Sequence, residues 1–513
     1  MDEFKRTFIK DNGDVINENM FKRRIIGLTS YVKDMNHLMP DYNPENDLVI
    51  EKLEFSDTQF ALYETIRQDE RKVERRQAQK NKQKLYEETS STYRIFSRSF
   101  CNFVFPAELK RPMPKDIDDI ESIDEEDIDN IVSDEYPDDS DNISESKKKS
   151  AEKYQEKVNS ALQFLSDNKS KYLVSPELET LSPKFSKILE NVTNSDGLNL
   201  IYSQFRMLEG IGILKLVLLA NGFQEFKITK NKKKWNLQTP LSDKPMFVLY
   251  TGTETAEEKE IIRNIYNSNW NNIPKELIDK IKAKNENNFR GEIIKVFMIT
   301  AAGSEGINLK NVRNVHIVEP YWNPVRLDQV IGRAKRICSH KNLNEDEQNI
   351  KVFIYMMTLS KKQLEDDASK ELRLKDKSKI DKKTPLTSDE ALYEISKIKE
   401  NINKQLLNSM KEAAIDCTTF GGENCFSISN PKNGKFSYKP KYSEEESDTT
   451  KQLNVEKIKW KAVMLKKGNK KYALRKETGD VYDIKSYLAA IKGNGDPLLV
   501  GKLIGKKIEF IHQ

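Results

Sequence analysis

Hydrophobic and polar positions in residues 197–358 switch repeatedly between two periods. Short runs of β-branched and other apolar residues at 197–205, 246–250, 293–299, 312–318 and 351–358 predict buried strands. Between them, 211–219 predicts a buried helix ending near Asn221-Gly222. Residues 251–262 turn into a second helix, and 324–338 form a third. This alternation predicts an α/β fold, with a parallel sheet covered on both faces. In the third helix, Asn323 serves as cap and Pro324 opens the first turn. Leu327, Val330, Ile331, Ala334, Ile337 and Cys338 recur at three- and four-residue steps and are expected to pack inward. Gln329, Arg333 and Arg336 share the opposite face.

The flanks carry different patterns. Residues 1–107 are expected to be a mostly helical segment, with amphipathic stretches at 21–32 and 51–63. Ser56 caps the latter and Gln59 completes a capping box. Residues 68–88 make a charged helix with little apolar face, expected to be solvated or coiled. Residues 91–106 mix aromatics with arginine, which fits either a nucleic-acid or lobe contact or an aromatic core plug. Residues 108–150 are expected to be an acidic disordered linker. The main α/β domain is then 151–420, where Ser182 and Pro183 start one helix and Thr387 caps a long one reaching about Asp416. Residues 421–455 form a connector. Residues 456–513 form a small basic β-rich module, with turns at Gly468-Asn469 and Thr478-Gly479.

Charge sharpens this division. The net charge of +5 conceals fifteen acidic residues and no basic one between Asp116 and Glu145. Without that run the remainder carries 86 − 66 = +20, which suits a phosphate-backbone binder. From Lys457 onward there are fourteen Lys/Arg against five Asp/Glu. Basic and aromatic residues interleaved on a sheet suit nucleic acid; the alternative is a solvated small domain. No apolar run approaches the ~18 residues of a membrane span, and the first residues lack the apolar core of a signal peptide. Cys101, Cys338, Cys417 and Cys425 form no C-x-x-C pair, so reduced cysteines in an intracellular protein are expected and no metal site is assigned.

Three motifs then fall in order. T-A-A-G-S-E-G-I-N-L (300–309) resembles motif V of superfamily 2 helicases, and Q-V-I-G-R-A-K-R (329–336) matches their motif VI at every fixed position. E-P-Y-W-N-P (319–324) resembles the turn of Swi/Snf-type and related viral helicase lobes. G-L-N-L-I-Y-S-Q-F (197–205) resembles motif IV. Residues 21–32 and 51–63 resemble the segment that follows the first lobe in large helicases of nucleocytoplasmic large DNA viruses. The resemblance implies a RecA-like C-terminal lobe of a nucleic-acid-dependent ATPase. It implies Arg333 and Arg336 as arginine fingers, with Gln329, Gly306, Glu305 and Asn308 near ATP. It further implies nucleic-acid contacts from Ser203, Gln204, Arg206, Thr251, Gly252, Thr300 and Ser304. Thr251 fits a helix cap equally well, and Lys259 stands where Swi/Snf-type relatives have arginine.

No G-x-x-x-x-G-K-[ST] occurs, and no strand-linked acidic motif supplies a metal-binding carboxylate. The expectation is therefore half of an ATPase site. ATP and Mg²⁺ would be held mainly by a first lobe on a separate polypeptide or missing from a truncated frame. The competing expectation is a non-catalytic nucleic-acid-binding or regulatory protein on the same scaffold. DNA or RNA is the expected partner in both, with no membrane. The viral resemblance implies host cytoplasm or virion.

Overall fold

The computed structural model describes residues 2–10, 13–31, 38–80, 94–112, 145–231, 234–251, 254–300, 306–417, 424–427, 449–452, 460–467, 470–491, 497–505 and 507–510. The chain divides into two compact units. Asp11–Gly13 and Met39–Ile402 form one; Met1–Lys10, Asp14–Leu38 and Asn403–Gln513 form the other.

The larger unit is built on a seven-stranded sheet. Its strands lie in the order Leu48–Glu54, Lys351–Thr358, Val312–Ile317, Leu198–Tyr202, Val296–Ile299, Met246–Tyr250 and Gln224–Glu225. Every neighbouring pair is parallel. All five residues of the central strand, Leu198–Tyr202, are buried, as a strand covered on both faces requires. One apolar layer joins the sheet to the Ala256–Tyr266 and Pro324–Ala334 helices through Ile261, Ile265, Leu327 and Val330. On the other side Ile201 and Met298 pack with Phe185, Ile188, Leu214 and Val217. The expected α/β parallel architecture is thus present, and the expected caps work. Ser182 Oγ accepts from Phe185 N at 2.9 Å, and Asn323 Oδ1 from Val325 N at 3.1 Å. Thr387 Oγ1 accepts from Glu390 N at 3.1 Å, while Thr387 N donates back to Glu390 at 3.0 Å.

Several expectations are corrected. The stretch read as helical from residue 51 begins as a strand: Leu48–Glu54 joins the sheet edge beside Lys351–Thr358. The segment 1–107 is mostly helical as expected, but it also contributes this edge strand. Ser56 does cap the Asp57–Lys80 helix, but Gln59 Nε2 donates to the Phe100 and Cys101 carbonyls instead of closing the box. The charged helix is not merely solvated, because Arg67 and Arg71 are buried in it. The Ile95–Asn102 helix buries Ile95, Phe96, Arg98, Cys101 and Asn102, as a core plug would. Of the acidic linker, 113–144 lies outside the described residues, and its last six residues belong to the Glu145–Asp167 helix.

In the smaller unit, Phe4, Phe8 and Phe21 of two short helices cluster with ring centroids 5.0–6.2 Å apart. Cys417 and Cys425 form a disulfide, which corrects the expectation of four reduced cysteines. Most of 421–455 lies outside the described residues, but Asn424–Ser427 pairs antiparallel with Thr449–Gln452. The basic tail is β-rich as expected. Five antiparallel strands run in chain order from Ala462–Lys467 to Lys507–Phe510, with the Ile484–Ile491 helix inserted before the fourth.

Candidate functional site

A parallel sheet delivers its strand ends to one edge, and loops beyond the carboxyl ends can converge on a ligand there. Here that edge carries Ser203 and Gln204 after the central strand, Thr300 after Val296–Ile299, Thr251 after Met246–Tyr250 and Glu319 after Val312–Ile317. Glu305, Gly252 and Ser304 lie outside the described residues. The chain re-enters at Gly306 with φ +68°, a left-handed conformation that glycine adopts without a Cβ penalty.

Beyond Gly306 the backbone is fastened at two points. Asn267 Nδ2 donates to the Asn308 carbonyl at 2.8 Å, and Asn267 Oδ1 accepts from Lys310 N at 2.8 Å. Leu309 N donates to the Arg333 carbonyl at 3.1 Å. The segment after the loop is thereby tied to the end of the Pro324–Ala334 helix.

That helix exposes Gln329 and leaves Arg333 half-buried. It stops at Ala334, four residues short of the expected end, so Arg336 lies in the following turn. Ile337 and Cys338 do not pack inward: Ile337 is 51% exposed, and Cys338 is exposed at φ +56°. The cause is a side-chain closure. Ser339 Oγ donates to the Ala334 carbonyl at 3.1 Å and contacts His340 Nδ1 at 2.8 Å. His340 Nε2 is held by the Val312 carbonyl at 2.8 Å. Burial favours neutral imidazole there and lowers the His340 pKa to about 4.

Arg333 and Arg336 remain near each other despite the helix end. Burial, then the neighbouring Arg333 charge, lowers the Arg336 pKa from its usual value. Arg336 Nε donates to the Gly332 carbonyl at 3.1 Å, which holds the side chain against the helix. Arg333 Nε is buried without a hydrogen-bond partner. Among the described residues, no carboxylate neutralises either guanidinium. Thr300 is also buried, and its hydroxyl has no hydrogen-bond partner.

The other assigned residues are arranged differently. Ser203 and Gln204 are buried and organised by Glu319. The Glu319 carboxylate accepts from Ser203 Oγ at 3.0 Å, from Asn102 Nδ2 at 3.2 Å and from Gln204 N. Burial raises the Glu319 pKa, with Arg98 opposing the shift. Arg98 Nη2 donates to Gln204 Oε1 at 2.5 Å, and its guanidinium lies 5.5 Å from the Phe205 ring centroid and 5.6 Å from that of Tyr321. Thr251 Oγ1 donates to Glu254 at 3.2 Å, while the next helix is capped by Thr255 in a box with Glu258. Arg206 gives its carbonyl to Gly212 N at 2.8 Å. Lys259 Nζ sits 5.6 Å from the Tyr250 ring centroid. Trp322 of the W-N-P turn is covered by Lys399 Nζ at 3.7 Å.

Glu319, Arg98 and Asn102 received no role from the sequence. Glu319 stands inside the E-P-Y-W-N-P motif and was the available signal; the other two are more than 200 residues away from it.

The parallel sheet, the loop resuming at Gly306 and the arginine-bearing helix are arranged as the resemblance to a superfamily 2 helicase C-terminal lobe implies. Residues 229–338 match the family described as helicase conserved C-terminal domain. The chain is 27% identical, over 94% of its length, to a candidate ATP-dependent RNA helicase of Acanthamoeba polyphaga mimivirus. It is 26% identical, over 83% of its length, to the termination factor NPH-I homolog of African swine fever virus. It spans 61% and 54% of the lengths of those two relatives. Among solved structures, the C-terminal part of the Fun30 ATPase domain aligns over 71% of this chain and 99% of its own, with 16% identity and a TM-score of 0.34. Among the described residues, no helix is long and apolar enough to cross a membrane.

Proposed function

We propose that the chain supplies the second lobe of an ATP-dependent nucleic-acid helicase or translocase. Arg333 and Arg336 act as its arginine fingers. The observation that carries this reading is the half-buried Arg333, whose Nε, among the described residues, lacks a partner beside a second guanidinium without a carboxylate. A buried unsatisfied donor costs about 1–3 kcal/mol, and a phosphate oxygen would satisfy it. Guanidinium forks match phosphate oxygens in shape and charge.

The triphosphate and its Mg²⁺ are held mainly by a first lobe bearing a phosphate-binding loop, on a separate polypeptide or elsewhere in a longer one. As water attacks the γ-phosphorus and the bond to the β,γ-bridging oxygen breaks, the two arginines offset charge on the transferring oxygens. Gln329, Gly306 and Asn308 line the same cleft, and the resemblance assigns Glu305 to ATP with them. Nucleic acid runs along the carboxyl edge past Arg206, Thr251 and Thr300, and the resemblance assigns Gly252 and Ser304 to the same contact. Ser203 and Gln204 shape that edge from beneath, because Glu319 and Arg98 engage them. DNA and RNA share the phosphate chemistry this reading uses.

The test is ATP hydrolysis by a verified two-lobe complex. Arg336→Ala is expected to lower kcat by ~10³-fold or more, the scale of an arginine finger, with complex formation intact. An unchanged rate in that complex overturns the assignment.

A further inference from the structure

The basic C-terminal sheet carries a local electrostatic cost that its fold does not explain. In the hairpin between its first two strands, Lys466 stands directly opposite Lys471 and Lys467 opposite Lys470. Like charges in directly opposed cross-strand positions are destabilising. All four side chains are exposed. Among the described residues none of the four forms an ion pair; the carboxylate of Asp483, paired opposite Tyr472, accepts from Ser486 N at 2.9 Å.

Two of these lysines border an aromatic surface. Leu465 pairs with Tyr472, so strand alternation places Lys467 and Lys470 on the Tyr472 face and Lys466 and Lys471 on the reverse. The Tyr472 ring lies 5.5 Å from Phe510, and Lys467 Nζ lies 4.6 Å from the Phe510 centroid. Phe510 is 39% exposed. Opposite it stands Gly501, where a Cβ would lie 2.5 Å from the Glu509 carbonyl oxygen. A side chain there would push away the strand that carries Phe510.

We infer that this corner binds single-stranded nucleic acid, with a base stacked on Phe510 and phosphates held by Lys467 and Lys470. A row of phosphates offsets the opposed lysine charges. An exposed ring rimmed by ammonium groups suits an unpaired base, which every nucleotide of a single strand can present and a duplex interior cannot. An acidic peptide would satisfy the lysines but leave the ring without a stacking partner. The inference does not depend on the ATP-site reading, because it concerns a different unit of the chain.

The experiment uses the full chain without nucleotide or first lobe, so its outcome is separate from the ATPase test. Fluorescence anisotropy compares a labelled oligothymidylate with an abasic oligonucleotide of equal length. The intact protein is expected to prefer the thymidylate. Phe510→Ala is expected to weaken thymidylate binding by roughly 5- to 100-fold and to erase the preference. The double variant Lys467→Gln, Lys470→Gln is expected to weaken both ligands and to reduce the log–log salt slope by about 1.4, at ~0.7 per phosphate contact on a single strand. If both variants bind both oligonucleotides like the parent, or if polyglutamate of equal charge displaces thymidylate as well as thymidylate itself does, the inference is overturned.

Discussion

Arg67, Arg71 and Arg94 converge on one carboxylate, whereas among the described residues Arg333 and Arg336 converge on none. In the first group, Asp376 Oδ2 accepts from Arg67 Nε at 3.0 Å and from Arg71 Nε at 2.9 Å. Asp376 Oδ1 accepts from Arg67 Nη2 at 2.8 Å and from Arg94 Nη2 at 3.2 Å. Glu64 takes Arg71, while Glu70 and Glu74 take Arg67. Glu70 also accepts from Phe96 N and Ser97 N, so the same cluster closes the start of the Ile95–Asn102 helix. Burial alone would raise the Asp376 pKa, but the charges of Arg94, Arg67 and Arg71 together outweigh it and hold the carboxylate well below the usual range. Both groups belong to one unit of one chain. The difference between them lies in the carboxylates the fold supplies. An arginine with its acids packed around it joins elements; an arginine left without them is the one the proposed function gives to a ligand.

The sharpest way to break the comparison is to remove the acid from the first group. Asp376→Ala leaves three guanidinium groups around an empty centre. Breaking a buried pair by removing one partner costs about 3–5 kcal/mol. That loss is expected in urea unfolding of the chain. A loss below about 1 kcal/mol would mean that the cluster is solvated and that the contrast with Arg333 is false.

Acidification sharpens the comparison at intermediate scale. The Asp376 pKa is depressed, so its stabilisation is present above the unfolded value and is lost only as pH falls through the folded value, far below it. Between pH 4 and 6.5 the Asp376 carboxylate is therefore silent. His316 is not. It is fully buried between the Tyr355 hydroxyl at 2.8 Å and Asn199 Oδ1 at 2.9 Å, and burial lowers its pKa to about 3. A depressed histidine stays neutral in the fold and takes up a proton on unfolding. Its contribution is complete above about pH 6.5 and falls by about 1.4 kcal/mol per pH unit below that. Glu319, raised by burial, acts with the opposite sign, so the histidine part is read as the difference between the parent and His316→Gln. That difference is expected to shrink by about 2 kcal/mol between pH 6.5 and 5. A constant difference would show that His316 is protonated in the fold.

The same comparison explains what could be read from the sequence. Apolar runs at 198–202, 246–250 and 312–317 announced central strands because both of their faces are covered. Asn323-Pro324 and Ser182-Pro183 announced helix starts because capping is local. Arg333 was legible through the spacing of Gln329, Arg333 and Arg336 in one short motif. Leu48–Glu54 was not legible, since an edge strand has a weak burial pattern and its partner is about 300 residues away. The arginine cluster failed for the same reason: Asp376 lies 309 residues from Arg67, so the helix around Arg67 looked solvated. The helix end at Ala334 was hidden because Ser339 closes it, five residues on, without a glycine or proline to mark the stop. Local chemistry was readable; long-range pairing was not.

The smallest expected effect is also the most discriminating. Arg333→Met keeps a long apolar stem and removes the unpaired Nε. Its loss removes a desolvation cost, and because Arg333 is only half-buried the gain in stability is expected at the low end of the cost of an unsatisfied donor, about 1 kcal/mol. The equivalent Arg67→Met substitution strips two glutamates and Asp376 of their shared partner and destabilises by several times as much. A site kept for a ligand carries such a cost in the free protein, and occupancy removes it. The pair of variants, compared by thermal unfolding, therefore separates the two kinds of arginine without any nucleotide present. Equal destabilisation by both would place Arg333 among the structural arginines and leave the proposed finger without its basis.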